Sequence, residues 1–253
     1  MIDLHSHLLP GVDDGSRTVG QSVAVLTMMA GAGITDVCLT PHLTVSRAMD
    51  GPPAAWEPAW EALSAVAPAQ VRLHRGVEMM LDRPMSAEIA ADRRLTLAGT
   101  RYMLVEFTRL VAPTVAYHAL AQVRSLGLVP LLAHPERYAC CTPQAASAWK
   151  AAGAVLQVDA NTLFMDRGRG ERARALLAEG LADILAADNH GDSRTISEPY
   201  RRLGEMDGEH QASLLLVKNP AAILADASPE PVPPLSWKRP LLKRLRALLG
   251  QED

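Results

Sequence analysis

The sequence predicts an α/β fold of about seven βα units around a parallel sheet, and three observations predict it. Short apolar runs of strand type alternate with segments whose apolar residues recur at helical spacing. The strand runs are apolar on both faces, as expected when helices cover each side of the sheet. Nearly every run ends in a histidine or a carboxylate. Alternation alone does not separate an open sheet from a barrel. Polar groups delivered at the C-terminal ends of several strands favour the barrel. An open doubly wound sheet would gather them at one crevice, and no Gly-rich phosphate loop follows the first run.

The first run leads from Met1 into His5-Ser6-His7, a Pro10-Gly11 turn and Asp13-Asp14. In an extended strand residues two apart share a face, so His5 and His7 aim two imidazoles at one point. Asp14, seven residues beyond His7, can swing back over the same place. Thr18 to Ala32 has helical periodicity and stops at Gly31 and Gly33. Ile34 to Thr40 reads as a strand ending in Pro41-His42, and Ala54 to Ala67 as a helix with Trp56, Trp60 and Leu63 on one face. Val71 to Val77 is the next strand, closed by Glu78; Tyr102 to Val105 is closed by Glu106. A helix over Thr114 to Leu126 precedes the strand Leu128 to Ala133, closed by His134. A helix over Ala145 to Ala152 leads to the strand Ala154 to Val158 and Asp159. A helix over Glu171 to Glu179 leads to Asp183 to Ala187, closed by Asp188-Asn189-His190. The chain is then helical or irregular to about residue 227.

Collecting the strand-end groups gives His5, His7, Asp14, His42, Glu78, Glu106, His134, Asp188 and His190. Five of the eight histidines and four acids on one rim exceed what a single ion needs and suit two or three divalent cations. Imidazole and carboxylate without thiolate fit Mn, Fe or Zn and do not discriminate among them. Glu78 and Glu106, with two oxygens each, are the natural bridges. Paired cations activate a water and clamp an in-line displacement at phosphorus, so the implied reaction is metal-assisted hydrolysis of a phosphate ester.

The 253-residue chain is 48% hydrophobic and 21% charged, enough to close one large core, with aromatics at only 4%. A net charge of −3 argues against nucleic acid as a partner. Three cysteines, an odd number with Cys140 and Cys141 adjacent, suggest a reducing compartment. No basic leader or apolar run of the roughly 18 residues needed for a membrane span is present, so the expected location is cytoplasmic. A thiol phosphatase needs an arginine six residues after its cysteine. Thr44, Ala146 and Ser147 stand at those places, so the cysteines read as packing residues.

The motifs HSHLLPGVDDG (5–15), TPH (40–42), GVEM (76–79), VEF (105–107), AHPERY (133–138) and ADNHG (187–191) together resemble the polymerase and histidinol phosphatase (PHP) superfamily. More closely they resemble its bacterial tyrosine-protein phosphatases of capsule and exopolysaccharide synthesis. The resemblance runs in order over about residues 1–225. It implies a distorted TIM-like (β/α)7 barrel and a trinuclear centre, often manganese. It also implies a phosphotyrosine protein substrate, a membrane-associated tyrosine kinase that governs polysaccharide chain length. All nine collected residues fall on ligand positions by that resemblance. Arg137 falls on an arginine that grips the substrate phosphate, and a guanidinium fork beside a metal ligand suits a phosphate dianion. A second phosphate-binding arginine is expected shortly after ADNHG, where Arg194 is the nearest. The 43–60 loop matches no pattern of the family, and Arg47 within it is a candidate to reach the site.

The expected domain spans residues 1–227. A Pro-rich spacer begins at Ser228, and beyond it residues 237–253 carry five basic and two acidic side chains. Leu241, Leu245, Leu248 and Leu249 share one helical face there. A basic amphipathic C-terminal helix beginning at Trp237 is therefore expected, with contact to the inner membrane surface or docking to a partner as its readings, against a helix folded onto the barrel.

Overall fold

The computed structural model describes residues 1–237, and its frame is set by period-two alternation along parallel strands. The order is β1 (Ile2–Asp3), α1 (Val19–Gly31), β2 (Asp36–Leu39), β3 (His42–Thr44), α2 (Glu57–Ser64), β4 (Arg72–Arg75), β5 (Glu78–Met80), α3 (Ala87–Ala91) and β6 (Tyr102–Glu106). It continues with α4 (Pro113–Ser125), β7 (Val129–Ala133), α5 (Pro143–Ala151), β8 (Val155–Asp159), α6 (Arg169–Ala178), β9 (Ile184–Ala186), α7 (Ser197–Gly204) and α8 (Glu209–Ser213). A π-helical turn, Leu214–Lys218, joins α8 to α9 (Asn219–Leu224). Each helix expected from the sequence up to α6 is present; α1, for example, is capped by Thr18, whose side chain accepts from Gln21 N.

All strand pairs are parallel, in the orders β1-β2-β4 and β3-β5-β6-β7-β8-β9. The two groups are the halves of two broken strands. Pro41, without an N–H, interrupts β2 and β3, and Gly76-Val77 interrupts β4 and β5 at the same height. Gly76 N to Leu39 O (3.0 Å) and Glu78 N to Pro41 O (3.1 Å) carry the pairing across the gap. The expected strands Ile34–Thr40 and Val71–Val77 therefore continue further than their sequences suggest. His42 and Glu78 open β3 and β5 rather than closing β2 and β4. The result is seven parallel runs in ring order. Among the described residues no continuous ladder closes the ring; the first and last runs meet there at a single bridge, Ser6 with Asn189, with His7 N donating to Asn189 O at 2.7 Å.

Inward positions of the strands form the barrel's own core, with Leu4, Tyr102, Leu104, Leu131, Val155 and Ile184 among its residues. Alternate positions such as Met103, Val105, Leu132, Leu156 and Leu185 face the helices in the larger outer core. On β6 this alternation carries Tyr102 and Leu104 up to Glu106, so an apolar floor is crowned by a carboxylate.

The helix expected over Ala54 to Ala67 is shorter, a 3-10 turn Ala54–Trp56 followed by α2, with Leu63 alone of its expected face fully buried. Residues 228–237 form no regular element and lie against the domain: Val232 and Leu235 are buried, and Leu235 N donates to Leu177 O at 3.0 Å. The C-terminal helix expected from Trp237 onward lies outside the described residues. No helix among the described residues is long and apolar enough to cross a membrane.

Candidate metal centre

The site is assembled from the ends of nearly all the runs. His5 and His7 present Nε2 atoms 3.2 Å apart. Glu78 Oε2 lies 3.2 Å from each of them, and Asp188 Oδ1 lies 3.1 Å from His5 Nε2 and 3.2 Å from His7 Nε2. The other ring nitrogens are already committed: His5 Nδ1 meets Gln157 Oε1 at 2.9 Å and His7 Nδ1 meets Asp13 Oδ2 at 2.7 Å. Such partners place the proton on Nδ1 and turn the Nε2 lone pair inward.

Two further groups adjoin this one. His42 Nδ1 stands 3.0 Å from Glu78 Oε2 and 3.2 Å from Glu106 Oε1. His134 Nε2 reaches Glu78 Oε1 at 2.9 Å, and is 4.0 Å from Glu106 Oε2. On the outer side Asp14 Oδ1 lies 3.4 Å from His42 Nε2 and 3.5 Å from His190 Nε2, while the His190 ring stacks on His7 at 4.2 Å. Donor atoms within 4.8 Å of one another thus form three sets: His5, His7, Glu78 and Asp188; His42, Glu78 and Glu106; His7, Asp14, His42 and His190. A neutral imidazole has one free lone pair, whereas Glu78 has two oxygens to share between neighbouring sets.

The donor chemistry fits divalent cations. Glu78 Oε2 and Asp188 Oδ1 are buried without a hydrogen-bond partner although four lone-pair atoms converge there. Only positive charge relieves that convergence. Without cations it must come from protons: burial opposes the charged form of His5, yet Glu78 and Asp188 outweigh it and raise its pKa. His7 is raised well above its ordinary value, against burial, through Asp13, Asp188 and Glu78. His42, also against burial, is lifted to about 10 by Glu106 and Glu78. Burial works to protonate Glu78 as well, but His5, His134 and His42 hold it well below the carboxylate range.

Two ligand-type residues carry unusual backbone. His134 (φ 34°) and Asp188 (φ 48°) are left-handed, the first immediately after β7 and the second two residues after β9. Non-glycine residues there cost about 1 kcal/mol each. The strain is held where the strand end must turn a donor into the site.

Arg137 lies in the same cavity, of about 270 Å³, with Phe107, Arg109 and Tyr138 on its walls. Its guanidinium pairs with Asp159 (2.7 Å) and with Asp188. It does not pair with Glu136, which is buried beneath it and, through burial and the Asp159 charge, is raised to about 8. Arg194 is placed differently: it does not line the cavity. Its Nε is 2.8 Å from Asp192 Oδ2, and Nη2 lies 3.2 Å from His190 Nδ1. Arg47 lines a separate cavity beside Trp56 and Trp60. The thiols stay out of the chemistry: Cys38 and Cys141 are buried, and burial pushes Cys141 up to about 12.

Eight of the nine strand-end residues fall in the three donor sets and His134 adjoins them through Glu78, while the side chains that support them were not singled out from the sequence. Asp13, adjacent to the chosen Asp14, is the acid that holds His7, while the Asp14 side chain is 69% exposed. Gln157 and Asp159 were legible as polar residues at alternate positions of a buried strand. Arg109 carried no sequence signal.

A family model described as capsular polysaccharide synthesis, CpsB/CapC, matches residues 1–225. The chain belongs to the CpsB/CapC family. Among relatives of the family, tyrosine-protein phosphatase CpsB of Streptococcus agalactiae serotype V is 27% identical over 242 residues, 88% of this chain and 98% of that one. Tyrosine-protein phosphatase YwqE of Bacillus subtilis is 30% identical over 139 residues, 54% of this chain and 55% of that one. Crystal structures of YwqE from Bacillus subtilis and CpsB from Streptococcus pneumoniae, described as unique metal-dependent tyrosine phosphatases, provide a solved match. It has a TM-score of 0.78 and 24% identity, covering 94% of this chain and 100% of that one. A mutant organophosphorus hydrolase from Deinococcus radiodurans matches with TM-score 0.57 at 13% identity, over 88% of this chain and 92% of that one. At these identities the likeness to solved structures is one of fold, a mixed α/β fold of parallel strands.

Proposed function

We propose that this CpsB/CapC family member is a metal-dependent protein-tyrosine phosphatase whose substrate is a phosphotyrosyl partner kinase in capsular or exopolysaccharide synthesis. The observation that carries the reading is the convergence of His5, His7, Glu78 and Asp188 lone pairs beside a cavity walled by Arg137. Family membership and the names of the relatives support the choice of phosphotyrosine. His5, His7, Asp14, His42, Glu78, Glu106, His134, Asp188 and His190 would hold two or three cations, manganese foremost and iron or zinc as alternatives. When bound, such ions supply Lewis acidity and a nucleophilic water at neutral pH.

The chain's own groups do the rest. Asp13 and Gln157 keep His7 and His5 in the ligating tautomer. Arg137, clamped by Asp159 and Asp188, holds a rigid guanidinium toward the phosphoryl oxygens, where it neutralises charge that grows in the transition state. Phe107 offers an apolar wall for a phenyl ring, and Tyr138 fixes that wall by accepting Phe107 N and donating to Ala133 O. Arg194 is an outer candidate for a phosphate contact, provided it leaves Asp192. The basic sequence beyond Trp237 supports peripheral contact with an anionic membrane surface. Loss of liposome binding on removal of residues 238–253 tests that contact.

Purified protein loaded with Mn, Fe or Zn in turn should release phosphate from a phosphotyrosyl peptide and lose that activity on exhaustive chelation. Full turnover after chelation, or hydrolysis of histidinol phosphate in preference to the peptide, removes the proposal.

A further inference from the structure

The 43–60 segment, which matches no pattern of the family, walls a second cavity, apart from the metal centre. Of the face expected on α2 only Leu63 is fully buried, and Trp56 and Trp60 are half-buried beside a gap against the sheet. That gap, about 1070 Å³, is lined by Leu39 and Leu73 of the sheet and by Thr96, Ala98 and Gly99. Close-packed layers leave no void of such size, and cavities of this volume with aromatic and apolar walls are where proteins hold small organic molecules. The walls are fixed. Arg75 joins Glu57 through two hydrogen bonds of 2.7 and 2.6 Å and lies over the Trp60 ring at 4.3 Å. Gly51 (φ 82°) packs so near Asp92 that a Cβ would come within 2.6 Å of its Oδ2. Ala98 (φ 51°) is left-handed, a strain that non-glycine residues keep chiefly at ligand clamps and other functional turns.

The polar groups of this cavity select for charge and shape. Four arginines, Arg47, Arg75, Arg93 and Arg94, meet only two acids, Asp50 and Glu57. Glu57 is taken by Arg75, and Arg94 pairs with Asp92. Arg47 has no carboxylate partner among the described residues, and Arg93 donates one N–H to Thr100 O at 3.2 Å. Asp50, exposed, offsets part of their charge, and an excess of guanidinium donors remains for an anion. Trp60 carries Arg75 on its ring, whereas Trp56 has no ring or guanidinium stacked on it among the described residues, so one indole is open to a flat partner. His74 adds a directed acceptor. Asp36 holds its Nε2 at 2.8 Å, which puts the proton there and leaves the Nδ1 lone pair free.

We propose that this cavity binds a nucleotide, with its base stacked on Trp56, its phosphates on Arg47 and Arg93, and His74 Nδ1 accepting from a base amine or a ribose hydroxyl. A flat ring, several negative charges and hydrogen-bond donors are what these walls complement together. The site is independent of the phosphatase reading, because none of its residues lines the metal cavity. It adjoins the metal centre only through backbone. Leu9, Pro41 and Gly76 of its wall stand two residues after His7, one before His42 and two before Glu78. A ligand seated there touches the strand breaks from which His42 and Glu78 are presented.

The test uses the metal-loaded full chain and hydrolysis-resistant methylene analogues of adenosine diphosphate and cytidine diphosphate, with uncharged adenosine as the control. Tryptophan fluorescence and titration calorimetry measure affinity, and hydrogen exchange locates the ligand. At least one diphosphate should bind, quench the fluorescence and protect amides over 45–60 and 93–99. Adenosine should bind roughly tenfold more weakly than its diphosphate. Tighter binding of the adenine analogue assigns a purine site, and tighter binding of the cytosine analogue a pyrimidine site. Arg47→Gln should weaken the diphosphate roughly tenfold, with Arg47→Lys restoring most of the loss. Trp56→Ala should weaken it by a similar factor, with Trp56→Phe restoring most. No binding of either diphosphate overturns the site. So does binding that both Arg47→Gln and Trp56→Ala leave intact, which is what a nucleotide held by the metal centre alone would show. Neither result touches the phosphatase reading, which is decided separately on the phosphotyrosyl peptide.

Discussion

Adding one methyl group at Gly15 should disable the centre without replacing any proposed ligand. A Cβ there would sit 1.9 Å from His7 O, 2.4 Å from His7 Cβ and 2.8 Å from His7 C. Real Cβ atoms stay beyond 3.0 Å, so the Gly15 backbone must retreat by at least 1.1 Å. The neighbouring backbone cannot absorb this, because Ser16 N is bonded to His7 O at 2.8 Å and Gly15 N to Asp13 Oδ1 at 3.0 Å. The retreat drags Asp13 off His7 Nδ1 and moves Asp14. A misplacement of about 1 Å costs on the order of 100-fold in rate. Gly15→Ala should therefore lower kcat/KM on a phosphotyrosyl peptide by about that factor and reduce bound metal per chain, read by elemental analysis. Gly31→Ala is the control: it lies in α1 with nothing within 4 Å of the added carbon, and should keep both quantities. A Gly15→Ala protein with full metal content and unchanged turnover would refute the reasoning.

Other outcomes follow from the supports of the site and the fold. Gln157→Leu removes the acceptor on His5 Nδ1 and should weaken metal binding about 10- to 100-fold, measured by chelator competition; unchanged affinity would mean the tautomer is set elsewhere. Asn219→Ala deletes three hydrogen bonds, to Asp183 O and Glu230 O (both 2.9 Å) and from Glu230 N (2.8 Å). It should cost about 3 kcal/mol in urea unfolding, and a loss below about 0.5 kcal/mol would show that the 228–237 strap does not depend on it. Asp3 is fully buried, and burial raises its pKa from 3.8 to about 7. The folded state keeps this proton longer, so its stabilisation is complete below about pH 4 and fades as pH climbs through 7. In chelated protein that fade amounts to about 4 kcal/mol, and Asp3→Asn should abolish it. Equal pH slopes for variant and wild type, compared by thermal unfolding, would sink that account.

The sequence carried the ring of βα units because buried parallel strands and helices have different apolar periods. Collecting the acid or histidine at each strand end then brought His5, Glu106 and Asp188 together from distant stretches. What stayed hidden depends on geometry between strands. Pro41 and Gly76 break adjacent strands at one height, and nothing local says that Glu78 will open a new segment rather than end the old one. The choice between Asp13 and Asp14 turns on how the 8–16 loop folds back on His7, a tertiary matter. Arg109 was invisible for the same reason, since its relevance comes from Ala139, thirty residues on, being bonded to its carbonyl. Arg194 looked close in sequence, yet a nearer acid, Asp192, takes its guanidinium.

The lone bridge between Ser6 and Asn189 has a consequence for how the protein matures. A nascent chain exposes His5, His7 and then Glu78 early, but the last member of their donor set arrives only when Asp188 leaves the ribosome. A cation held by that cluster, as proposed above, would act as a clasp fastening the beginning of the polypeptide to β9, just where the hydrogen-bonded ladder is thinnest. Cation supply in the cell would then influence the lifetime of the folded enzyme as well as its output, because binding to the native form alone withdraws molecules from the unfolded pool.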